Sequence, residues 1–369
     1  MHDDRGSTNV LRPLLEAYPK LGGRVPLAPL ADLPTPAERL TAFEQELGLA
    51  SLHIKRDDLS GAAYGGNKVR KLEFLLGRAR RDGCRAVMTF GGAGSNHALA
   101  TAIYARRLGM DAISMLVPQP ASDAVRHNLL MGFKAGAELH LYPDKRRLKA
   151  GVAAVTYRRR RRDGRPPMNI PAGGSSTTGA LGFVNAALEL AEQVAEGLLP
   201  PPDVVYVAAG TLGTCAGLAL GLRAAHIETA IMAVRVTEPD LANEAKARAL
   251  FQETNALLHG LDPAFPVLKF PAQHFTLRHD FFGEGYGVST PADAEAVRLL
   301  HETAGVLLDH TYTGKAFAAL IADARAGRLR DKNVLFWNTY NSRDLTQATA
   351  ETDYHDLPTE FHPYFERDG

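Results

Sequence analysis

Cysteine is nearly absent: Cys84 and Cys215 are the only two among 369 residues. Two thiols cannot staple a small secreted scaffold, so a disulfide framework is excluded and a reducing compartment is expected. No apolar run is long enough to span a bilayer. Charge of one sign is not in excess, with 42 Lys+Arg against 41 Asp+Glu. Nothing global therefore marks nucleic acid or an anionic membrane as the main partner. The opening MHDDRGSTNV lacks a basic-then-apolar leader pattern and carries early aspartates. Together these absences predict a cytoplasmic enzyme or binding protein.

What is present is ordinary in composition and ordered in pattern. The 45% hydrophobic and 22% charged fractions are those of a globular protein. The length is too great for one comfortable core, so two domains are expected. Residues 1 to about 40 are proline-rich and read as an irregular lead-in. Short apolar runs follow: AVMTF at 86–90, AISMLV at 112–117, VVYVAA at 204–209, IMAVRV at 231–236 and VLFW at 334–337. Each has the length and β-branched or aromatic content of a buried strand. Helix-like stretches lie between them, one from Ser95 to near Gly109 and others over 182–197 and 215–225. Strands alternating with helices predict an α/β protein with mainly parallel sheets and helices on both faces. The arginine run in YRRRRRDGRPP at 157–167 reads as a solvated helix end and turn.

Two glycine loops stand where strands meet helices, GGAGSNH at 91–97 and AAGTLGTCAG at 208–217. In an open α/β sheet ligands bind at the carboxyl ends of the strands. A helix N-terminus there offers free N–H groups to an anion, and glycine allows close approach. Neither loop fits a dinucleotide fingerprint or a nucleotide phosphate loop. Each alone is equally well a tight strand–helix turn. Two such loops plus the lysine segment YGGNKVRKLE at 64–73 suggest a cofactor phosphate in one and a substrate carboxylate in the other.

Six segments in order, GGNKVRKLEF (65–74), GSNHALATAIYARRLG (94–109), PAGGSSTTGALGF (171–183), AAGTLGTCAGLALGL (208–222), GEGYGV (283–288) and LLDHTYTGKAF (307–317), carry a resemblance. The chain resembles the D-cysteine desulfhydrase and 1-aminocyclopropane-1-carboxylate (ACC) deaminase family over about residues 25–345. The resemblance implies the two-domain, tryptophan-synthase-β-like fold of type II pyridoxal 5′-phosphate (PLP) enzymes. It places 1–74 and 179–369 in a large PLP-binding domain and 75–178 in a small domain that closes on the substrate. Lys68 matches the lysine that forms the Schiff base with PLP. An amine must be neutral to attack an aldehyde, so its pKa must be lowered by burial or by a neighbouring cation, for which Arg70 and Lys71 are candidates. Asn67, Lys71, Asn96, Thr339 and the phosphate loop Gly210, Thr211, Leu212, Gly213 and Thr214 match the other cofactor-binding positions. Ser95, Asn96, His97, Tyr286 and Tyr312 match the substrate site, with Ser95 and the tyrosines as catalytic candidates. His97 is read as a turn-stabilising residue rather than a catalyst. No metal ligands are implied.

Thr313 stands where ACC deaminases carry a glutamate beside the pyridine nitrogen. Threonine there implies a weaker electron sink, which suits loss of a β-leaving group. The favoured expectation is therefore α,β-elimination from D-cysteine, giving pyruvate, ammonia and sulfide. The alternatives are ACC deamination, another amino acid lyase or racemase, and a non-catalytic PLP binder. A homodimer is common in the family. Two departures bear on the substrate. Gly94 replaces the usual glutamine before Ser-Asn-His, which is expected to open that corner. Thr339-Tyr340-Asn341 replaces a T-G-G loop, with Arg343 nearby as a further anion partner.

Overall fold

The computed structural model describes residues 12–366, so the first part of the expected lead-in lies outside the described residues. Among the described residues ten strands build two sheets: β1 Ala37–Arg39, β2 Ser51–Lys55, β3 Ala86–Gly92, β4 Asp111–Val117, β5 Glu138–Leu141, β6 Met168–Ile170, β7 Val204–Ala209, β8 Ala230–Arg235, β9 Phe275–Arg278 and β10 Asn333–Trp337. The larger sheet runs β1-β2-β10-β7-β8-β9 and the smaller β5-β4-β3-β6. All pairings are parallel except β1–β2. The register of β10 sets Leu335 between His53 of β2 and Val205 of β7. Among the described residues no helix is long and apolar enough to cross a membrane.

All five apolar runs form strands, and β3 extends past its run through Gly91 and Gly92, which pair with Leu116 and Val117. Five short strands are less legible. β2, SLHIK, alternates polar and apolar residues, yet all five are buried. Lys55 is 0% exposed because its Nζ donates to Glu189 Oε1 at 2.7 Å, Gln193 Oε1 at 2.7 Å and the Thr35 carbonyl at 2.6 Å. A buried ammonium is tolerated where each of its protons meets an acceptor.

That lysine belongs to a buried charge cluster joining helix Asn67–Arg81 to helix Thr177–Ala195. Arg70 donates to Asp57 Oδ1 at 2.7 Å and to Glu189 Oε2 at 2.8 Å. The Trp337 indole N–H donates to Asp57 Oδ2 at 2.7 Å. Burial pushes the Glu189 carboxyl up, but Arg70 and Lys55 outweigh it and hold it at about 2, against 4.5 for an ordinary glutamate. Between those values the unfolded chain binds the proton and the folded chain does not, so stability rises with pH there. The contribution of Glu189 is expected to be complete above pH 4.5 and to fade as the pH falls toward about 2. Urea unfolding of wild type and Glu189→Gln should therefore show a stability gap that narrows steadily on acidification. A gap independent of pH would show that Glu189 is not titrating in this way.

Helix Lys145–Asp163 carries the arginine run at its C-terminal end, closed by Gly164 in the left-handed region. Arg159 is buried against Asp111 and Glu138, and Arg162 donates to Asp111 Oδ2 at 2.8 Å. The run is a helix end, as expected, but Arg159 within it is buried and ion-paired rather than solvated. Beyond β10 the chain crosses to helix Asp123–Lys134, burying Leu357 and Phe361, and Arg126 Nε donates to the Tyr364 carbonyl at 2.7 Å. The tail, grouped by sequence with the larger part of the chain, packs on the smaller one.

Candidate active site

Helix Asn67–Arg81 starts immediately after Gly66, whose φ is +87°. A Cβ there would lie 2.8 Å from the Thr339 carbonyl oxygen and 2.9 Å from that of Tyr340. Only glycine lets this turn press so closely on the exit of β10. The result sets Lys68 in the first helical turn, facing a cavity of about 420 Å³ between the two sheets. Lys68 Nζ donates to Asn67 Oδ1 at 2.7 Å and lies 5.8 Å from the centroid of the Tyr312 ring. Burial lowers its pKa to about 8, against the opposing pull of Asp309. The walls, not a neighbouring cation, make this amine easy to neutralise. The expected help from Arg70 is absent because that guanidinium is spent on Asp57 and Glu189.

Asn67 ties the lysine to the phosphate-loop candidate by donating from Nδ2 to Thr214 Oγ1 at 3.0 Å. Its backbone N–H donates to the Thr339 carbonyl at 3.2 Å. Gly210, Thr211, Leu212 and Thr214 all line the cavity. Gly213 does not, since its N–H is taken by Ser175 Oγ at 3.0 Å. Leu212 has a φ of +67° and caps helix Gly213–Ala224. Among the described residues no acceptor takes the N–H of Leu212 or Thr214. Lys71 lines the same end and donates to the Gly173 carbonyl at 3.1 Å. Burial, then Lys68, lowers its pKa well below the usual lysine value.

The opposite wall comes from the smaller sheet. Ser95 caps helix Asn96–Arg107, its Oγ accepting from the Ala98 N–H at 3.2 Å. The N–H groups of Asn96 and His97 meet no acceptor among the described residues. Asn96 Oδ1 accepts from Asn128 Nδ2 at 2.8 Å and from Tyr64 Oη at 3.3 Å, which leaves the Asn96 NH₂ as donor toward the cavity. His97 departs from its expected role. It is 2% exposed, lines the cavity, and neither ring nitrogen has a hydrogen-bond partner among the described residues. The turn is held by Ser95 and Asn128 instead. Burial, then Lys68 and Lys71, keeps the imidazole well below its ordinary pKa and therefore neutral.

Tyr286 and Tyr312 reach the cavity from two separate segments, share a hydrogen bond between their hydroxyls, and set their rings 6.0 Å apart at 79°. Burial raises both pKa values, that of Tyr312 well above 10. Both phenols stay protonated near neutrality.

Three expectations change on inspection. Thr313 is 0% exposed and is not part of the cavity wall. Its hydroxyl donates to Asp309 Oδ1 at 2.6 Å and accepts from the Asp309 N–H at 2.9 Å. The carboxylate residue of this segment that does line the cavity is Asp309, which also takes the N–H groups of Thr311, Tyr312 and Thr313. Arg343 is not an anion partner at the cavity: its Nε donates to the Gly61 carbonyl at 3.1 Å. The Gly94 corner is not open, because Gln119 Oε1 accepts from the Gly94 N–H at 3.1 Å. Thr339, Tyr340 and Asn341 do line the cavity, and Asn341 Oδ1 accepts from the Gly65 N–H at 2.6 Å. Sequence reasoning missed Asp309, Tyr64 and Gln119. Only Asp309 left a signal, an aspartate ahead of Thr-Tyr-Thr at a helix start.

Comparison with known proteins agrees with this geometry. The family described as "Pyridoxal-phosphate dependent enzyme" matches residues 29–339. A putative 1-aminocyclopropane-1-carboxylate deaminase of Pyrococcus horikoshii is 36% identical over 86% of this chain and 92% of its own. A D-cysteine desulfhydrase of Salmonella choleraesuis is also 36% identical, over 86% of this chain and 94% of its own. The crystal structure of an ACC deaminase homologue superposes with a TM-score of 0.74 at 32% identity, covering 91% of this chain and 97% of that one. Threonine deaminase isoform 2 of Solanum lycopersicum, at a TM-score of 0.58 and 16% identity over 94% of this chain and 89% of its own, shares the fold.

The residues present fit PLP. Unpaired amides of Leu212 and Thr214 at a helix N-terminus, with Lys71 beside them, suit a phosphate. An anion there would restore the charge that burial disfavours on Lys71. The His97 ring, without a hydrogen-bond partner among the described residues, and the easily neutralised Lys68 amine add polar contacts to a cofactor-sized cavity. The chain belongs to the pyridoxal-phosphate-dependent enzyme family, with the type II fold.

Proposed function

We propose that this enzyme catalyses an α,β-elimination on a small amino acid, with D-cysteine giving pyruvate, ammonia and hydrogen sulfide. The observation that carries the reading is the Lys68 amine, held at about 8 in a cavity it shares with the Tyr286–Tyr312 pair. The 36%-identical relative described as a D-cysteine desulfhydrase supports the choice of substrate.

Bound PLP supplies an electron sink for the substrate's α-carbon. The chain's own residues supply the rest. The N–H groups of Asn96 and His97, the Ser95 hydroxyl and the Asn96 amide hold the carboxylate at a helix N-terminus. The neutral Lys68 amine accepts the proton from the α-carbon. The Cβ–S bond breaks, and the paired phenols of Tyr286 and Tyr312, both protonated near neutrality, deliver a proton to the departing sulfur. Water completes the conversion to keto acid and ammonia. Ser95 stands on the smaller part of the chain, residues 75–178, and Lys68 and Tyr312 on the larger. Approach of the smaller part would exclude bulk water and strengthen the electrostatics at the α-carbon.

ACC deamination is the second reading. A specific observation favours it: Thr313 is withdrawn from the cavity, so residue 313 does not argue against a cyclopropane substrate. Keto-acid release from D-cysteine, L-cysteine and ACC decides between them. Pyruvate from D-cysteine is expected. Oxobutyrate from ACC without pyruvate from either cysteine would replace the first reading by the second.

A further inference from the structure

The loop after β4 carries a residue that the six matching segments do not include. Gln119 lines the cavity beside Ser95 and Asn96. Its Oε1 accepts from the Gly94 N–H at 3.1 Å. Since a backbone N–H can only donate, this bond orients the amide, leaving Nε2 as a donor. Among the described residues Nε2 has no acceptor. It lies 3.1 Å from where a Cβ on Gly94 would be, two residues before helix Asn96–Arg107 begins.

Two glycines make this approach possible. A Cβ at Gly92 would fall 2.1 Å from Gln119 Oε1, and one at Gly94 would meet Val125 at 2.7 Å as well as Gln119 Nε2. Gly92 and Gly94 have ordinary backbone angles, so conformational freedom does not explain them. The explanation is room for Gln119 and its neighbours. The C-terminal tail fixes the backbone of the same residue, because the Gln119 N–H donates to Tyr364 Oη at 3.2 Å.

We propose that Gln119 binds the carboxylate of the amino-acid substrate, adding a side-chain donor to the Ser95–His97 helix start. The inference rests on the reading of the substrate as an amino acid, but not on which one. The GGAG loop and Gln119 form one unit: the glycines admit the amide, the Gly94 N–H orients it, and the Tyr364 hydroxyl holds the Gln119 backbone N–H.

The test measures binding of two ligands to the PLP-loaded enzyme by calorimetry. Alanine, in both enantiomers, keeps the carboxylate and lacks a β-leaving group. 2-Aminoethanethiol is cysteine without its carboxylate. Gln119→Ala is expected to weaken the preferred alanine about tenfold, the usual loss of one hydrogen bond to a charged group, and to change 2-aminoethanethiol by less than about twofold. Gln119→Glu keeps the acceptor for the Gly94 N–H but replaces the donor by a negative charge, so it should weaken alanine more than Gln119→Ala does. Gly92→Ala, whose added methyl has Gln119 atoms as its three nearest neighbours, should mimic Gln119→Ala and add little to it in the double variant. Wild-type affinity in Gln119→Glu would mean that Gln119 only holds the loop and would overturn the proposal. Equal losses for both ligands would overturn it too. If the wild type binds 2-aminoethanethiol but neither enantiomer of alanine, the amino-acid reading itself fails, and this assignment with it.

Discussion

Replacing Lys68 by alanine is expected to lower kcat/KM for keto-acid release by at least about a thousandfold, the scale of a lost acid–base group that also anchors a cofactor. The reason is geometric. Lys68 has a pKa of about 8, which supplies neutral amine near physiological pH, and it is the amine that lies beside the Tyr286–Tyr312 pair. Lys71, which also lines the cavity, donates to the Gly173 carbonyl instead. Lys68→Arg should fail as completely, because a guanidinium does not lose its proton in a protein. Two readouts separate chemistry from folding. Circular dichroism should be unchanged, while the visible absorbance of the bound cofactor shifts. Activity within tenfold of wild type in Lys68→Ala would move the base to another residue and sink the mechanism.

Two positions further on, Arg70 is expected to matter for stability. Arg70→Met should cost about 3–5 kcal/mol in urea unfolding, the range for breaking a buried ion pair from one side. The variant leaves Asp57 and Glu189 buried with Lys55 as their remaining cation and with Thr35 and the Trp337 indole N–H as hydrogen-bond donors. Removing one of the stranded charges should recover part of the loss, so Arg70→Met/Glu189→Gln should be more stable than Arg70→Met alone. A loss below about 1 kcal/mol would mean that Asp57 and Glu189 regain water or protons cheaply, and that the cluster does not tie the two helices together. The contrast between Lys68 and Arg70 is instructive because their local sequence, NKVRKLE, is nearly uniform in charge. One helical turn directs the first cation into the cavity and the second into the core.

Much of this architecture is readable from residue order. The strands β3, β4, β7, β8 and β10 are contiguous apolar runs, a pattern that burial on both faces imposes. The short strand β2 and the buried arginine of helix Lys145–Asp163 are not readable, because their polar side chains are buried by partners distant in sequence. Lys55 needs Glu189 and Gln193, and Arg159 needs Asp111 and Glu138. Periodicity is silent about such partners. At the cavity, glycine loops and the lysine segment were legible because a helix start after a strand has a local signature. Thr313, Arg343 and His97 show the limit of position-by-position matching. Matching gives a residue's place along the chain, while its hydrogen-bond partners decide which way the side chain turns.

The sequence by itself determined an α/β chain with parallel strands, two anion-ready helix starts, and a lysine segment that follows two glycines at a helix-like stretch. These are local consequences of strand length, glycine and capping. Only the tertiary structure decided what surrounds that lysine: that burial rather than a neighbouring cation lowers its pKa, that Asp309 rather than Thr313 faces the cavity, and that Gln119 covers Gly94. The physical reason is common to all three. Desolvation and hydrogen bonding depend on which atoms lie within a few ångströms in space, and here those atoms come from segments as far apart as 68, 119, 309 and 364.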